Sequence, residues 1–147
     1  MITVLMIDKH PICRQAGRLI LEEAGIEQVI FAKSCADGYK LYRRYKPGVV
    51  IIDPVVVDGG IGGLRFIRQI RVHDSETRVL VLSMYDDATI VRQSLEAGAS
   101  GYVLKDESSE ELIKAVRSLS TGAPFLSAEI AKRIFEVAPS KREIVST

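Results

Sequence analysis

Four polar side chains stand at or just past the ends of short apolar runs in this 147-residue sequence: Asp8 after Thr3–Ile7, Asp53 after Val49–Ile52, Ser83 at the end of Val79–Ser83, and Lys105 after Gly101–Leu104. If those runs are parallel strands of one sheet, two carboxylates, a hydroxyl and an ammonium meet in one crevice. That set suits phosphoryl chemistry. A carboxylate can attack a phosphoryl group and form an acyl phosphate. An ammonium such as Lys105 then neutralises charge on the phosphoryl oxygens, a hydroxyl such as Ser83 can hydrogen-bond them, and carboxylates with a backbone carbonyl are the usual ligands of Mg²⁺. Each residue also has a plainer reading. Asp53 can cap the following turn, Ser83 can satisfy a backbone group, and Tyr102 can be a half-buried aromatic on an edge strand.

The crevice requires a particular arrangement of elements, and the pattern supplies it. Strand-like runs at Thr3–Ile7, Val29–Phe31, Val49–Ile52, Val79–Ser83 and Gly101–Leu104 alternate with helical periods. The first helix carries Ile12, Ala16, Leu19 and Ile20 at helical spacing and closes at Gly25. Ser34 is the expected N-cap of the second, which stops before Pro47. Leu64 to Val72 reads as the third, with Leu64, Ile67, Ile70 and Arg71 to one side. Asp86 or Asp87 caps the fourth, which ends at Gly98. A capping box, Ser108 to Glu111, opens the fifth, which ends at Gly122. Strict alternation implies an α/β fold with a doubly wound five-stranded parallel sheet, flavodoxin-like in order 2-1-3-4-5. Such sheets bind ligands beyond the carboxyl ends of their strands, where the strand order reverses. A further helix is expected from Ser127 to Val137, with Ile130, Ile134 and Phe135 as its apolar stripe, and a frayed tail after Pro139.

Bulk properties narrow the class. Apolar residues make up 47% and charged residues 27%, a globular balance with room for one domain. The longest apolar runs are far below the roughly 20 residues of a membrane span, and the N-terminus does not read as a secretory signal. Twenty basic against nineteen acidic residues give a net charge of +1, without the basic face of a nucleic-acid binder. Cys13 and Cys35 lack paired spacing and read as reduced thiols of a cytoplasmic protein, without redox or metal roles. The glycines at 59, 60, 62 and 63 match neither phosphate-loop pattern and read as turn residues. His10 reads as structural, and His73, Lys132, Arg133, Lys141 and Arg142 as solvated.

Four segments in order carry a family resemblance: Met1 to Pro11 (MITVLMIDKHP), Val49 to Asp53 (VVIID), Arg78 to Asp87 (RVLVLSMYDD) and Ala97 to Asp106 (AGASGYVLKD). Over residues 1 to 125 the chain resembles a receiver domain of two-component response regulators, in their NarL/FixJ branch. The resemblance implies that Asp53 is the phosphoacceptor, that Asp8 helps hold Mg²⁺, that Lys105 and Ser83 contact the phosphoryl group, and that Ser83 and Tyr102 form a switch. It also implies a sensor histidine kinase as donor, a homodimer, and no enzymatic role beyond self-phosphorylation and autodephosphorylation. No DxD sequence follows the first strand, which argues against an aspartate-based phosphatase. Residues 126–147 resemble the linker toward a helix-turn-helix output domain, the part through which such proteins bind DNA.

Two departures stand out. The family's second acid is here Lys9. Exchanging a ligand of charge −1 for +1 removes an oxygen and repels a dication, by several kcal/mol at an effective dielectric of about 20, so Mg²⁺ binding is expected to weaken or vanish. Lys9 can alternatively pair with Asp8 or Asp53 as a fixed cation. The loop after Asp53 carries Val57 and Ile61 where proline and glycine are usual, and Gly63 before the next helix implies about two extra residues. That puts the Val55 carbonyl in doubt as a metal ligand and offers Asp58 as a replacement acid. These departures motivate a second reading, a pseudo-receiver that binds and dimerises without phosphorylation.

Overall fold

Strand β1 (Thr3–Ile7) lies in the middle of the sheet, between β2 (Gln28–Ala32) and β3 (Val49–Ile52), and β4 (Arg78–Ser83), β5 (Gly101–Leu104) and β6 (Phe125–Leu126) follow outward. The computed structural model describes residues 2–54 and 62–134. All five strand pairings are parallel, in the order β2-β1-β3-β4-β5-β6. The expected flavodoxin-like order is therefore present. The count of five strands is corrected to six, because a two-residue strand after Pro124 adds to the edge. A pair of residues is too short to show any period in sequence.

Helices α1 (Pro11–Glu23), α2 (Cys35–Tyr45), α3 (Gly62–His73), α4 (Ala88–Ala97) and α5 (Ser109–Ser120) link the strands, and the described part of a sixth, α6, covers residues 128–134. Side chains alternate along each strand, so the sheet feeds two cores. Ile7, Ile52, Val81 and Tyr102 point to the face covered by α2, α3 and α4, whereas Met6, Ile51, Leu82 and Val103 point to the face covered by α1 and α5. Both faces are covered, which is why Val49 to Ile52 are all apolar and all at most 1% exposed.

Local chemistry sets the ends. Ser34 Oγ accepts from Asp37 N at 3.1 Å, and Asp87 Oδ1 accepts from Thr89 N at 2.8 Å, so Asp87 rather than Asp86 is the N-cap. Gly98 (φ 119°) and Gly122 (φ 91°) follow α4 and α5 in the left-handed region. The Ser108 capping box does not form: Ser108 occupies the N-cap, but its side chain makes no cap hydrogen bond. Helix α1 is rotated from the expected face, with Ile12 79% and Leu19 62% exposed while Gly17 and Leu21 are buried. The reason is close approach. A Cβ on Gly17 would meet Met6 Sδ at 2.5 Å, so the glycine turns that side to the sheet. In α3 the buried side includes Phe66, which the stripe omitted.

Candidate functional site

Parallel pairing of β1 with β3, and of β4 with both β3 and β5, brings Asp8, Asp53, Ser83 and Lys105 to one end of the sheet. Asp8 and Asp53 are each 1% exposed. Lys105 Nζ lies 2.7 Å from Asp8 Oδ2 and 3.0 Å from Asp53 Oδ2, bridging both carboxylates. Burial pushes the Lys105 ammonium toward its neutral form. Hydrogen bonds and charge from Asp8 and Asp53 outweigh that and raise its pKa above the ordinary value. The segment that carries it is fixed at its backbone, since Lys105 N donates to the Ser83 carbonyl of β4 at 2.8 Å and Leu104 N to the side-chain Oε1 of Glu107 at 3.0 Å.

On the other side, Arg14 Nη1 donates to Asp8 O at 2.7 Å. Asp8 Oδ1 accepts from His10 N at 2.9 Å and lies 3.1 Å from His10 Nδ1. Sequence reading gave neither Arg14 nor His10 a role toward Asp8. Their positions six and two residues past Asp8 were the available signal.

Lys9 does not enter the pocket. Its side chain is exposed, and Asp8 is paired instead with the Lys105 ammonium and hydrogen-bonded to His10. The expected pairing of Lys9 with Asp8 or Asp53 is thus corrected, and its charge is screened by solvent. Val55, Val57, Asp58, Gly59, Gly60 and Ile61 lie outside the described residues. Gly63 falls inside α3 rather than before it, and its N–H donates to Pro54 O at 3.2 Å. A Cβ there would meet Pro54 Cα at 2.5 Å and Asp53 O at 2.8 Å, so only glycine lets the helix lie this close to the acid's backbone.

Ser83 and Tyr102 share a loop. Ser83 Oγ accepts from Tyr85 N at 3.1 Å, and Tyr102 Oη donates to Tyr85 O at 2.7 Å. Tyr102 is 0% exposed, and burial pushes its phenol up to about 12. The half-buried edge position is corrected: β6 pairs with β5, and Ile130 of α6 joins the same buried cluster. Arg133 is exposed as expected, and its Nη2 lies 3.1 Å from Asp86 Oδ2 in the β4–α4 loop.

Comparison with known proteins decides the family. The family model of the response regulator receiver domain matches residues 4–117. The chain belongs to the response regulator receiver domain family. This receiver is 30% identical over 146 residues to the response regulator UvrY of Escherichia coli, covering 97% of the chain and 66% of UvrY. It is 32% identical to the response regulator GacA of Pseudomonas aeruginosa over 91% of the chain and 62% of that protein. A crystal structure of a LuxR-family two-component response regulator from Aurantimonas sp. superposes with a TM-score of 0.85 at 32% identity, covering 94% of the receiver and 98% of that chain. These relatives place it in the NarL/FixJ branch. The receiver spans about two thirds of the length of the curated relatives it matches. It is a signalling domain, and no helix among the described residues is long and apolar enough to cross a membrane.

Proposed function

We propose that Asp53 accepts a phosphoryl group from a sensor histidine kinase and that the modification resets the Ser83–Tyr102 loop. The observation that supports this is the single ammonium of Lys105 held against two buried carboxylates at the carboxyl edge of the sheet. In the transfer an Asp53 oxygen bonds to phosphorus as the donor's bond to phosphorus breaks, and Lys105 stays beside the added charge. Two carboxylates facing one crevice fit a hard divalent cation that keeps several waters. Asp8 and Asp53 would hold Mg²⁺, which would supply further neutralisation of the phosphoryl oxygens. With Lys9 in solvent, one fewer ligand makes that binding weaker than in relatives carrying the second acid.

A phosphoryl group adds close to two negative charges. Ser83 Oγ can exchange its hydrogen bond from Tyr85 N for one to the phosphate. The loop that Tyr102 also holds then moves, and with it Asp86 under Arg133 of α6. We assign residues 1–125 to the receiver and 126–147 to a connection toward a DNA-binding output domain, in a cytoplasmic protein. Related RcsB structures show dimers bound to DNA, and a homodimer responding to phosphorylation is the matching output here. The phosphorylation-independent reading gains no support from the relatives matched.

Beryllium fluoride, a stable phosphoryl mimic, tests the switch. With Mg²⁺ it is expected to raise the dimer fraction in sedimentation velocity and to shift the Tyr85 and Tyr102 amide resonances, with Asp53→Asn abolishing both. Identical behaviour of wild type and Asp53→Asn would contradict the proposal.

A further inference from the structure

The start of α1 gathers a second set of donors around Asp8, two of which, His10 and Cys13, the phosphoryl chemistry does not use. Asp8, His10 and Cys13 each offer one ligand atom, and these atoms lie within 4.8 Å of one another. We propose that they form a binding site for a borderline divalent transition ion, with Zn²⁺ as the biological occupant.

The geometry is set locally. Pro11 opens α1, so His10 is the N-cap and Cys13 stands three residues further on, on the same side of the first turn. The hydrogen bond from His10 N to Asp8 Oδ1 holds the imidazole Nδ1 at 3.1 Å from that oxygen. Zinc bonds of about 2.0–2.3 Å in tetrahedral geometry separate ligand atoms by roughly 3.3–3.7 Å. Small side-chain rotations therefore close this set around an ion.

Ligand chemistry chooses the ion. A carboxylate, an imidazole and a thiolate suit zinc or cobalt, and a thiolate is a poor partner for Mg²⁺. The Asp8 carboxylate is divided between the two sites, with Oδ2 facing Lys105 and Oδ1 facing His10. An ion on Oδ1 leaves the lysine contact in place. Access is open, since the His10 side chain is 52% exposed, and Cys13 is half-buried at a cavity of about 120 Å³ lined also by Met6, Gly17 and Leu112. A water can complete the fourth position. Lys9, between two of the ligands in sequence, carries its charge in solvent. Because Asp8 also faces Asp53 across Lys105, occupancy at α1 acts on the phosphoryl pocket through a shared carboxylate.

Co²⁺ is the probe, titrated into the full chain under a non-thiol reductant and followed by absorption. The expected result is a near-ultraviolet thiolate-to-cobalt band with tetrahedral bands in the visible, reversed by added Zn²⁺. Cys13→Ser removes the thiolate band, His10→Ala weakens binding by roughly tenfold or more, about 1.4 kcal/mol, and Cys35→Ser changes neither. Circular dichroism confirms that each variant is folded; His10 is exposed enough for its truncation to leave the core untouched. Absence of a thiolate band at excess Co²⁺, or a band that survives Cys13→Ser, overturns the proposal.

Discussion

Lys105 Nζ sits 3.0 Å from Asp53 Oδ2, with the lysine side chain 8% exposed and the carboxylate side chain 1% exposed. At that burial the pair is not a surface ion pair of marginal worth. It is a cation that two otherwise repelling acids require, because Asp8 is held at 2.7 Å by the same nitrogen. Removing one partner of a buried ionic group typically costs about 3–5 kcal/mol. Lys105→Met is therefore expected to lower unfolding free energy by about 3 kcal/mol in urea denaturation at neutral pH. A loss below about 1 kcal/mol, the range of exposed pairs, would show that the contact is not maintained.

Alkaline titration follows from the same burial. Lys105 is raised above its ordinary value, while burial, as the largest cause, pushes Tyr42 and Tyr102 up to about 12 from 10.0. A group with a raised folded pKa contributes stability that is complete below its unfolded pKa and lost as pH climbs through the folded one. Stability should therefore fall between the ordinary tyrosine and lysine values and about 12. Thermal melts across this range check it; a flat profile would contradict the burial of Tyr102.

Acid acts at the opposite end of the sheet. Asp74 accepts from Tyr42 Oη at 2.6 Å, from Thr77 Oγ1 at 2.6 Å and from the Thr77 and Glu76 amides. Burial alone would raise its pKa, but these hydrogen bonds hold its carboxyl well below the usual carboxylate range. A depressed folded pKa gives stability that is present above the unfolded value and lost as pH falls through the folded one. Asp74→Asn should flatten the acid limb of the stability profile and lower stability at neutral pH. An unchanged acid limb would sink this account.

Helix α6 offers a contrast between two of its residues. Ile130 is 0% exposed within the Tyr102 cluster, so Ile130→Ala is expected to cost about 2–5 kcal/mol. The Arg133–Asp86 pair is 48% and 46% exposed, so Arg133→Ala should cost at most about 1 kcal/mol. Chemical denaturation of both variants tests whether α6 is anchored by its apolar contact or by its charge.

Much of this was legible beforehand, for physical reasons. Strands covered on both faces must be apolar throughout, so Val49–Ile52 and the acid that follows could be located by eye. Parallel topology then forces the strand-end residues together, which is why the sequence alone groups Asp8, Asp53, Ser83 and Lys105. Helix faces were harder. In α1, Ile12 and Leu19 fit the helical period but point to solvent, because the close approach at Gly17 sets the rotation and a glycine carries no hydrophobic signal. Lys9 could not be placed from its type alone, since a long flexible stem can turn its charge toward the pocket or toward water. The contacts of Arg14, His10 and Arg133 depend on loop paths that periodicity does not encode.

We propose that Asp53 remains a phosphoacceptor despite Lys9. Intact mass after incubation with acetyl phosphate and Mg²⁺, on wild type, Asp53→Asn and Lys9→Asp, tests it most directly. The expected result is a gain of one phosphoryl group in wild type, none in Asp53→Asn, and labelling of Lys9→Asp at lower Mg²⁺ concentration. No gain in wild type at saturating Mg²⁺, or an equal gain in Asp53→Asn, would contradict it.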